Sequence, residues 1–252
     1  MFAHERHNTI RRIVREHRKL NFAELQKLVN VSPATLRRDL TDLEKSGDIL
    51  RVHGGVLDPA YVRSEISFDE KVLRHSRAKK AIASAAAALV PEGSIVFVDA
   101  GSTCLEAGRL LLGRPDLTLV THSVALIGLS LQGRAKVLCP GGELRRVSGA
   151  LVGGAALGSL ELIRTDMALV GASGLTEEGC STTELSEAEM KRAILRGTRR
   201  KVLLADSSKW RQSSTVLFSD WGGFDDWVTE RIPEDARAVR RAGVKLHAPS
   251  EN

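Results

Sequence analysis

The chain has 252 residues, 42% hydrophobic and 27% charged, which excludes a disordered polymer and fits one small domain joined to one of ordinary size. Residues 1–57 hold 11 Lys and Arg against 7 Asp and Glu, a net +4 of the overall +6, the pattern of a nucleic-acid module attached to a near-neutral domain. The charges in Met1–Arg6 leave no signal-peptide core, and the longest apolar run, Ala81–Val90, is about half the ~20 residues a membrane helix needs, so the expected location is cytoplasmic, with no membrane partner.

Ile10, Ile13 and Val14 share one face of a helix over Arg6–His17, with Arg11, Arg12 and Arg15 elsewhere. Leu25, Leu28 and Val29 mark a short second helix over Phe22–Asn30. Ser32 is a suitable N-cap and Pro33 a suitable first residue for a third. Leu36, Leu40 and Leu43 form the buried stripe of that helix, and Gly47 its stop. Ile49–Val56 reads as strand, Gly-Gly turn and return strand. Three helices and a hairpin predict a winged helix-turn-helix over residues 1–57, followed by a linker over 58–76 that is partly helical near Phe68–Leu73.

From residue 77 to 252, strand and helix alternate. Strands are expected at Ser94–Asp99, Leu117–Thr121, Lys136–Cys139, Met167–Val170, Lys201–Ala205 and Val244–His247. Helices are expected at Ala78–Leu89, Leu105–Leu112, Val124–Leu131 and Ser186–Leu195. The alternation predicts a doubly wound, mostly parallel α/β domain.

On the third helix, Ala34, Arg38, Thr41 and Lys45 fall opposite Leu36, with Thr35 and Arg37 flanking them. Small residues at the helix start allow close approach to a groove, and arginines can bind guanine edges or phosphates. Arg51 and His53 on the hairpin can reach neighbouring phosphates. An isolated Arg-Arg pair is usually a solvated face. Here the turn, the Ser-Pro start, the hairpin and the charge asymmetry favour DNA, with Ser32, Ala34, Thr35, Arg37, Arg38, Thr41, Arg51 and His53 as contacts. The run from Val31 to Leu40, Leu43-Glu44 and Arg51-Val52-His53-Gly54-Gly55 together resemble the signature of the DeoR family of bacterial repressors. That resemblance implies that Leu20 to about Asp39 is the helix-turn-helix proper and that the partner is double-stranded operator DNA.

In the second domain, Asp99-Ala100-Gly101-Ser102-Thr103 ends a strand and opens a helix, where free N–H groups bind anions. Gly101 can take strained dihedrals there. His122-Ser123, Gly141-Gly142 and Gly171-Ala172-Ser173-Gly174 also follow expected strands, and ligands of open α/β sheets gather at strand carboxyl ends. The family resemblance continues through these turns and through Glu187, Lys191, Asp206 and Lys209. It implies a sensor domain resembling ribose-5-phosphate isomerase and CoA-transferase folds, with a phosphorylated sugar or polyol as effector. Ser102, Thr103 and Lys191 would then touch phosphate, and Asp99 and Glu187 would lie near sugar hydroxyls. His122 stands where the family usually has Asn. That departure bears on ligand choice and on pH dependence, or the imidazole is a neutral hydrogen-bonding stand-in.

Each of these residues has a plainer reading. Lys191 can pair with Glu187 at i, i+4, and Asp206 and Lys209 can cap a turn. Cys104, Cys139 and Cys180 have no metal spacing and read as buried thiols; no metal or cofactor is expected. The resemblance implies an effector-controlled repressor of a carbohydrate or polyol catabolic operon, expected to act as a homodimer or homotetramer. The alternative is a sugar-phosphate isomerase carrying a DNA-binding domain, with Asp99, Glu184, Glu187 and Asp206 available as bases. An RNA-binding scaffold would need aromatic stacking residues, and aromatics are 4% of the chain.

Overall fold

The computed structural model describes residues 3–17, 19–52, 55–57 and 67–249. The chain divides into two units, 1–65 and 66–252.

In the first unit, α1 (Ala3–His17), α2 (Phe22–Val29) and α3 (Pro33–Lys45) accompany β1 (Lys19–Asn21), β2 (Leu50–Val52) and β3 (Gly55–Leu57). Local chemistry places each helix end. The side chain of Asn21 accepts from the Glu24 amide at 2.9 Å while Glu24 accepts from the Asn21 amide at 3.0 Å, a reciprocal cap for α2. Asn30 closes α2 in the left-handed region at φ 54°. Ser32 Oγ then accepts from the Thr35 amide at 3.2 Å, with Pro33 as first helical residue. Ile10, Ile13, Val14, Leu25, Leu36, Leu40, Leu43 and Ile49 are buried together. The strand β1 was not expected. Its short Lys-Leu-Asn sequence has no alternating run, yet it pairs antiparallel with β3, giving sheet order β1-β3-β2. The expected Gly-Gly turn falls partly outside the described residues, as does His53. Gly55 begins β3, where a Cβ would lie 2.4 Å from the Leu20 carbonyl oxygen.

The second unit opens with α4 (Phe68–Leu73) and α5 (Ser76–Ala88), both within or overlapping the segment expected to be linker. Phe68 and Val72 pack on the core. The centre is a seven-stranded parallel sheet of β4 (Ile95–Val98), β5 (Thr118–Thr121), β6 (Lys136–Leu138), β9 (Thr165–Gly171), β12 (Thr198–Leu204), β14 (Asp226–Val228) and β15 (Lys245–His247). Its order is β15-β14-β12-β9-β4-β5-β6. Side chains alternate across it. Val96, Val98, Met167, Leu169, Val202 and Leu204 meet α5, α6 (Ser102–Leu111) and α7 (Val124–Ser130). Phe97, Ala168, Val170 and Leu203 meet α8 (Gly154–Leu162), α9 (Leu185–Arg196) and α10 (Arg237–Arg241). Burial on both faces explains the continuous apolar strands.

The chain turns one way from β4 through β5 to β6 and the other way from β9 through β12 to β15, so winding reverses between β4 and β9. That reversal is the crevice where open α/β sheets take ligands. Two smaller antiparallel pieces were not expected: a hairpin of β7 (Glu143–Arg145) and β8 (Ala150–Val152), and a sheet of β10 (Gly174–Thr176), β11 (Gly179–Thr182) and β13 (Val216–Ser219). Cys104 and Cys180 are buried, but Cys139 is exposed beyond the edge strand β6, which corrects the expectation of three buried thiols.

Candidate functional site

On α3, Ala34, Arg37 and Arg38 are exposed and Thr35 and Thr41 half-buried, opposite the buried Leu36. Arg38 has no hydrogen bond or ion pair among the described residues. Arg37 lies over the Phe22 ring, 5.4 Å from its centroid, a stacking that steadies the guanidinium. Arg51 reaches from β2 to Thr41 Oγ1 at 3.4 Å and to Glu44 at 3.8 Å. Ser32 is exposed and is spent on the α3 cap. Sequence reasoning did not find the device that aims α3. Asp39, 3% exposed, takes a two-pronged bond from Arg6 at 2.8 and 3.0 Å and faces His7 at 3.2 Å. The Arg6 hydrogen bond is the main reason the Asp39 carboxyl stays below the usual range, against the opposing effect of burial.

In the second unit, Asp99 leaves the end of β4 and Gly171 ends β9, so the two meet at the reversal point. Asp99 Oδ2 accepts from the Gly171 amide at 2.9 Å and from Lys191 Nζ. Lys191 also donates to the Gly171 carbonyl at 3.0 Å. Asp99 Oδ1 faces His122 Nε2 at 3.0 Å, and His122 Nδ1 faces the Leu151 carbonyl at 3.0 Å. Burial pushes the Asp99 carboxyl up, but the Lys191 charge and the His122 hydrogen bond outweigh it and hold Asp99 ionised. Burial likewise pulls Lys191 down, while Asp99 and Glu187 more than restore it. Lys191 therefore pairs with Asp99 from 92 residues away in the chain. Glu187 pairs instead with Arg145 at 3.1 Å and Thr182 Oγ1 at 3.1 Å.

Beside this cluster α6 begins. Gly101 precedes it at φ −66°, an ordinary conformation, so strained dihedrals are not what Gly101 supplies. Ser102 and Thr103 are each 8% exposed, and neither hydroxyl has a hydrogen-bond partner among the described residues. The start of α6 therefore offers free amides and two unbonded hydroxyls on largely buried residues, groups of the kind that bind oxyanions.

A second group forms at the end of β12. Asp206 caps a 3₁₀ turn over Ser207–Lys209, with Ser208 N donating to it at 3.2 Å. Burial lowers Lys209, against the pull of Asp206, and Lys71 and Arg74 lower it further. Lys79 of α5, 5% exposed, donates to the Lys71 carbonyl and is lowered by burial, with Asp206, Lys209 and Glu106 acting on it. It therefore lies among the end of β12, α6 and α4.

Other expected site residues are occupied with folding. Ser123 Oγ caps α7 through the Leu126 amide at 3.3 Å. At Gly142, φ is +116° and a Cβ would lie 2.6 Å from the Val152 carbonyl oxygen; Gly141 is at φ +74°. The Ser173 amide bonds the Ser181 carbonyl at 2.9 Å, and a Gly174 Cβ would meet the Gln212 carbonyl oxygen at 2.3 Å. Arg145 and Lys79 were missed. Arg145 sits on an unexpected hairpin that docks on the His122 segment through Leu151 N to His122 O at 2.8 Å. Lys79 looked like one of several charges on a helix face, and only its place in an otherwise apolar stripe with Ile82, Ala83 and Ala86 could have signalled burial.

The two units match two known family descriptions: a DeoR-like helix-turn-helix domain over residues 6–59 and a DeoR C terminal sensor domain over residues 74–231. The chain belongs to the DeoR family. This DeoR-family regulator is 34% identical over 245 residues to an HTH-type transcriptional regulator, YgbI, of Escherichia coli K12, covering 96% of each chain. It is 32% identical over 231 residues to the glycerol-3-phosphate regulon repressor of the same strain, covering 91% of each. The aga operon transcriptional repressor named as putative in Escherichia coli O157:H7 is 32% identical over 248 residues, covering 96% of this chain and 92% of that one. Among solved structures, ribose 5-phosphate isomerase A of Methanocaldococcus jannaschii overlaps 54% of each chain at 18% identity, with a TM-score of 0.40. Among the described residues, no helix is long and apolar enough to cross a membrane, and no group of three or more His, Cys, Asp or Glu could hold a metal ion.

Proposed function

We propose that this DeoR-family chain is a cytoplasmic repressor of a carbohydrate or polyol catabolic operon, released from its operator by a phosphorylated sugar or polyol. It acts as a homodimer or homotetramer. One observation carries the effector class: the unbonded Ser102 and Thr103 hydroxyls at the start of α6, on residues that are each only 8% exposed. Relatives named for a glycerol-3-phosphate regulon and an aga operon support the same class of regulated genes. Lys191 is matched by Asp99, so the counter-charge for the phosphate comes from Lys209 and Lys79, which lie with Asp206 at the end of β12. Ser123, Gly141, Gly142, Ser173 and Gly174 shape the pocket wall, and Glu187, steadied by Arg145, faces hydroxyls.

The isomerase alternative needs a free carboxylate base. Asp99 accepts from Lys191 and Gly171, and Glu187 from Arg145 and Thr182, so neither is free to take a proton from carbon.

The test is a thermal-shift screen of sugar and polyol phosphates, beginning with glycerol 3-phosphate, since a ligand of the folded state raises its apparent stability. The best stabiliser is then titrated against a duplex that the protein selects from random DNA. Release of the duplex is expected. Lys209→Ala should weaken the effector at least ~10-fold, about 1.4 kcal/mol, while duplex affinity without effector is unchanged. Conversion of that compound by the purified protein would support the isomerase instead.

A further inference from the structure

His122 Nε2 is asked to do two incompatible things. It lies 3.2 Å from the Ala100 amide, which donates to it, and 3.0 Å from Asp99 Oδ1, which can only accept from it. The other ring nitrogen settles the tautomer. Nδ1 faces the Leu151 carbonyl oxygen at 3.0 Å, an obligate acceptor, so Nδ1 carries hydrogen. A neutral ring then has a bare Nε2 that accepts the Ala100 N–H and leaves Asp99 Oδ1 against a lone pair. An imidazolium donates Nε2–H to Asp99 and leaves the Ala100 N–H without an acceptor. Either state strands one buried polar group, and His122 and Asp99 are each 2% exposed. Such a group is costly when left unsatisfied away from water.

Ala100 lies two residues before Ser102. We propose that His122 is a proton-linked gate on the Ala100 amide: the neutral ring holds that N–H, and the imidazolium releases it to an oxyanion seated at Ser102 and Thr103, so phosphate binding takes up a proton at His122. This inference rests on the anion site described above.

The charges around the ring support it. Asp99 and Lys191 form a neutral pair, and Glu187 on α9 is matched by Arg145 on the β7–β8 hairpin. The Cys104 thiol on α6 is pushed up by burial and by Asp99, so it adds no charge. Phe97 packs on the ring at 5.7 Å between centroids. A protonated His122 therefore gives the cluster one uncompensated positive charge, and a bound phosphate supplies the opposite one. The link is reciprocal: the imidazolium form binds anion more tightly, and anion raises the fraction of imidazolium.

The experiment is a pH titration of the full chain labelled with ¹⁵N-histidine, read by long-range ¹H–¹⁵N spectra, with and without inorganic phosphate. Loss of one signal set in His122→Asn identifies His122. Without phosphate, the alkaline form should show a bare Nε2 and protonated Nδ1. Phosphate should shift the backbone amides of Ser102 and Thr103 and raise the His122 midpoint by about one pH unit, a ~10-fold preference for the imidazolium. His122→Asn, which has no proton to take up at this position, should lack the phosphate-linked proton uptake that calorimetry in buffers of different ionisation enthalpy detects for wild type. A bare Nδ1, or an unmoved midpoint while the Ser102 and Thr103 amides respond, overturns the gate and leaves the anion site standing. No response of those amides overturns both.

Discussion

Two arginines on α3 look alike in sequence and differ in structure. Arg37 stacks on Phe22, whereas Arg38 is exposed with no partner among the described residues. Arg38 is therefore free to reach a base edge, and Arg38→Ala should weaken the selected duplex by about 1–3 kcal/mol. The variant should keep its fold and its effector response; unchanged anisotropy titrations at fixed salt would refute the contact. Lys191 presents the opposite case. Its Nζ is enclosed with Asp99 and the Gly171 carbonyl, so Lys191→Ala abandons a buried carboxylate and should destabilise the second unit by about 3–5 kcal/mol. All three tryptophans report on that unit: Trp210, Trp221 and Trp227 stack with centroids 5.5–6.0 Å apart. Thermal unfolding read by their fluorescence should move down sharply. An unchanged transition would mean that Asp99 finds another donor.

At the scale of elements, the Asp39 clamp joins α1 to α3. Asp39 is held below its ordinary value by Arg6, so its contribution is complete above the unfolded value near 4. It is lost as pH falls through the lower folded value. Asp39→Asn should cost about 1.5–3 kcal/mol at pH 7, the worth of a charged hydrogen bond, and should show less acid dependence than wild type. Urea melts by far-UV circular dichroism at pH 7 and pH 3.5 can read this as the phase that tryptophan fluorescence does not see. Equal pH dependence in both proteins would remove the clamp from the account. Elements with strong periodicity were legible in the sequence: α3 from Ser32-Pro33 and the leucine stripe, and the strands around Val96 and Leu169. The strand β14 was not, because Asp226 interrupts its apolar run; tertiary bonds from Arg200 at 2.7 Å and His247 at 2.7 Å satisfy that buried carboxylate. The helix α8 was missed because Gly154-Ala-Ala-Leu-Gly is apolar on every side and presents no stripe.

For the whole molecule, one winged helix reads only a short half-site, and symmetric pairing is the usual source of additional affinity. Light scattering should give at least twice the 27.4 kDa chain mass on DNA. A 27.4 kDa species both free and on DNA would count against any paired operator. The fluorescence transition should also rise with effector concentration, since the tryptophans sit in the unit assigned to sensing.

By itself, the sequence determined the order of the strongly periodic elements, the doubly wound class and the turns that gather at the strand ends, because periodicity, caps and glycines act over a few residues. Only the tertiary structure decided which polar groups meet. Asp99 and Lys191 are 92 residues apart, and nothing local distinguishes a Lys191 paired with Glu187 from one paired with Asp99. The adjacency of β4 and β9, set by the reversal of winding, brings Asp99 to Gly171 and leaves α9 to deliver Lys191 above them. The hairpin β7–β8 completes the choice by drawing Glu187 to Arg145 and fixing His122 through the Leu151 carbonyl. Burial then makes each pairing obligatory, since a charge without a partner there is far costlier than one in water.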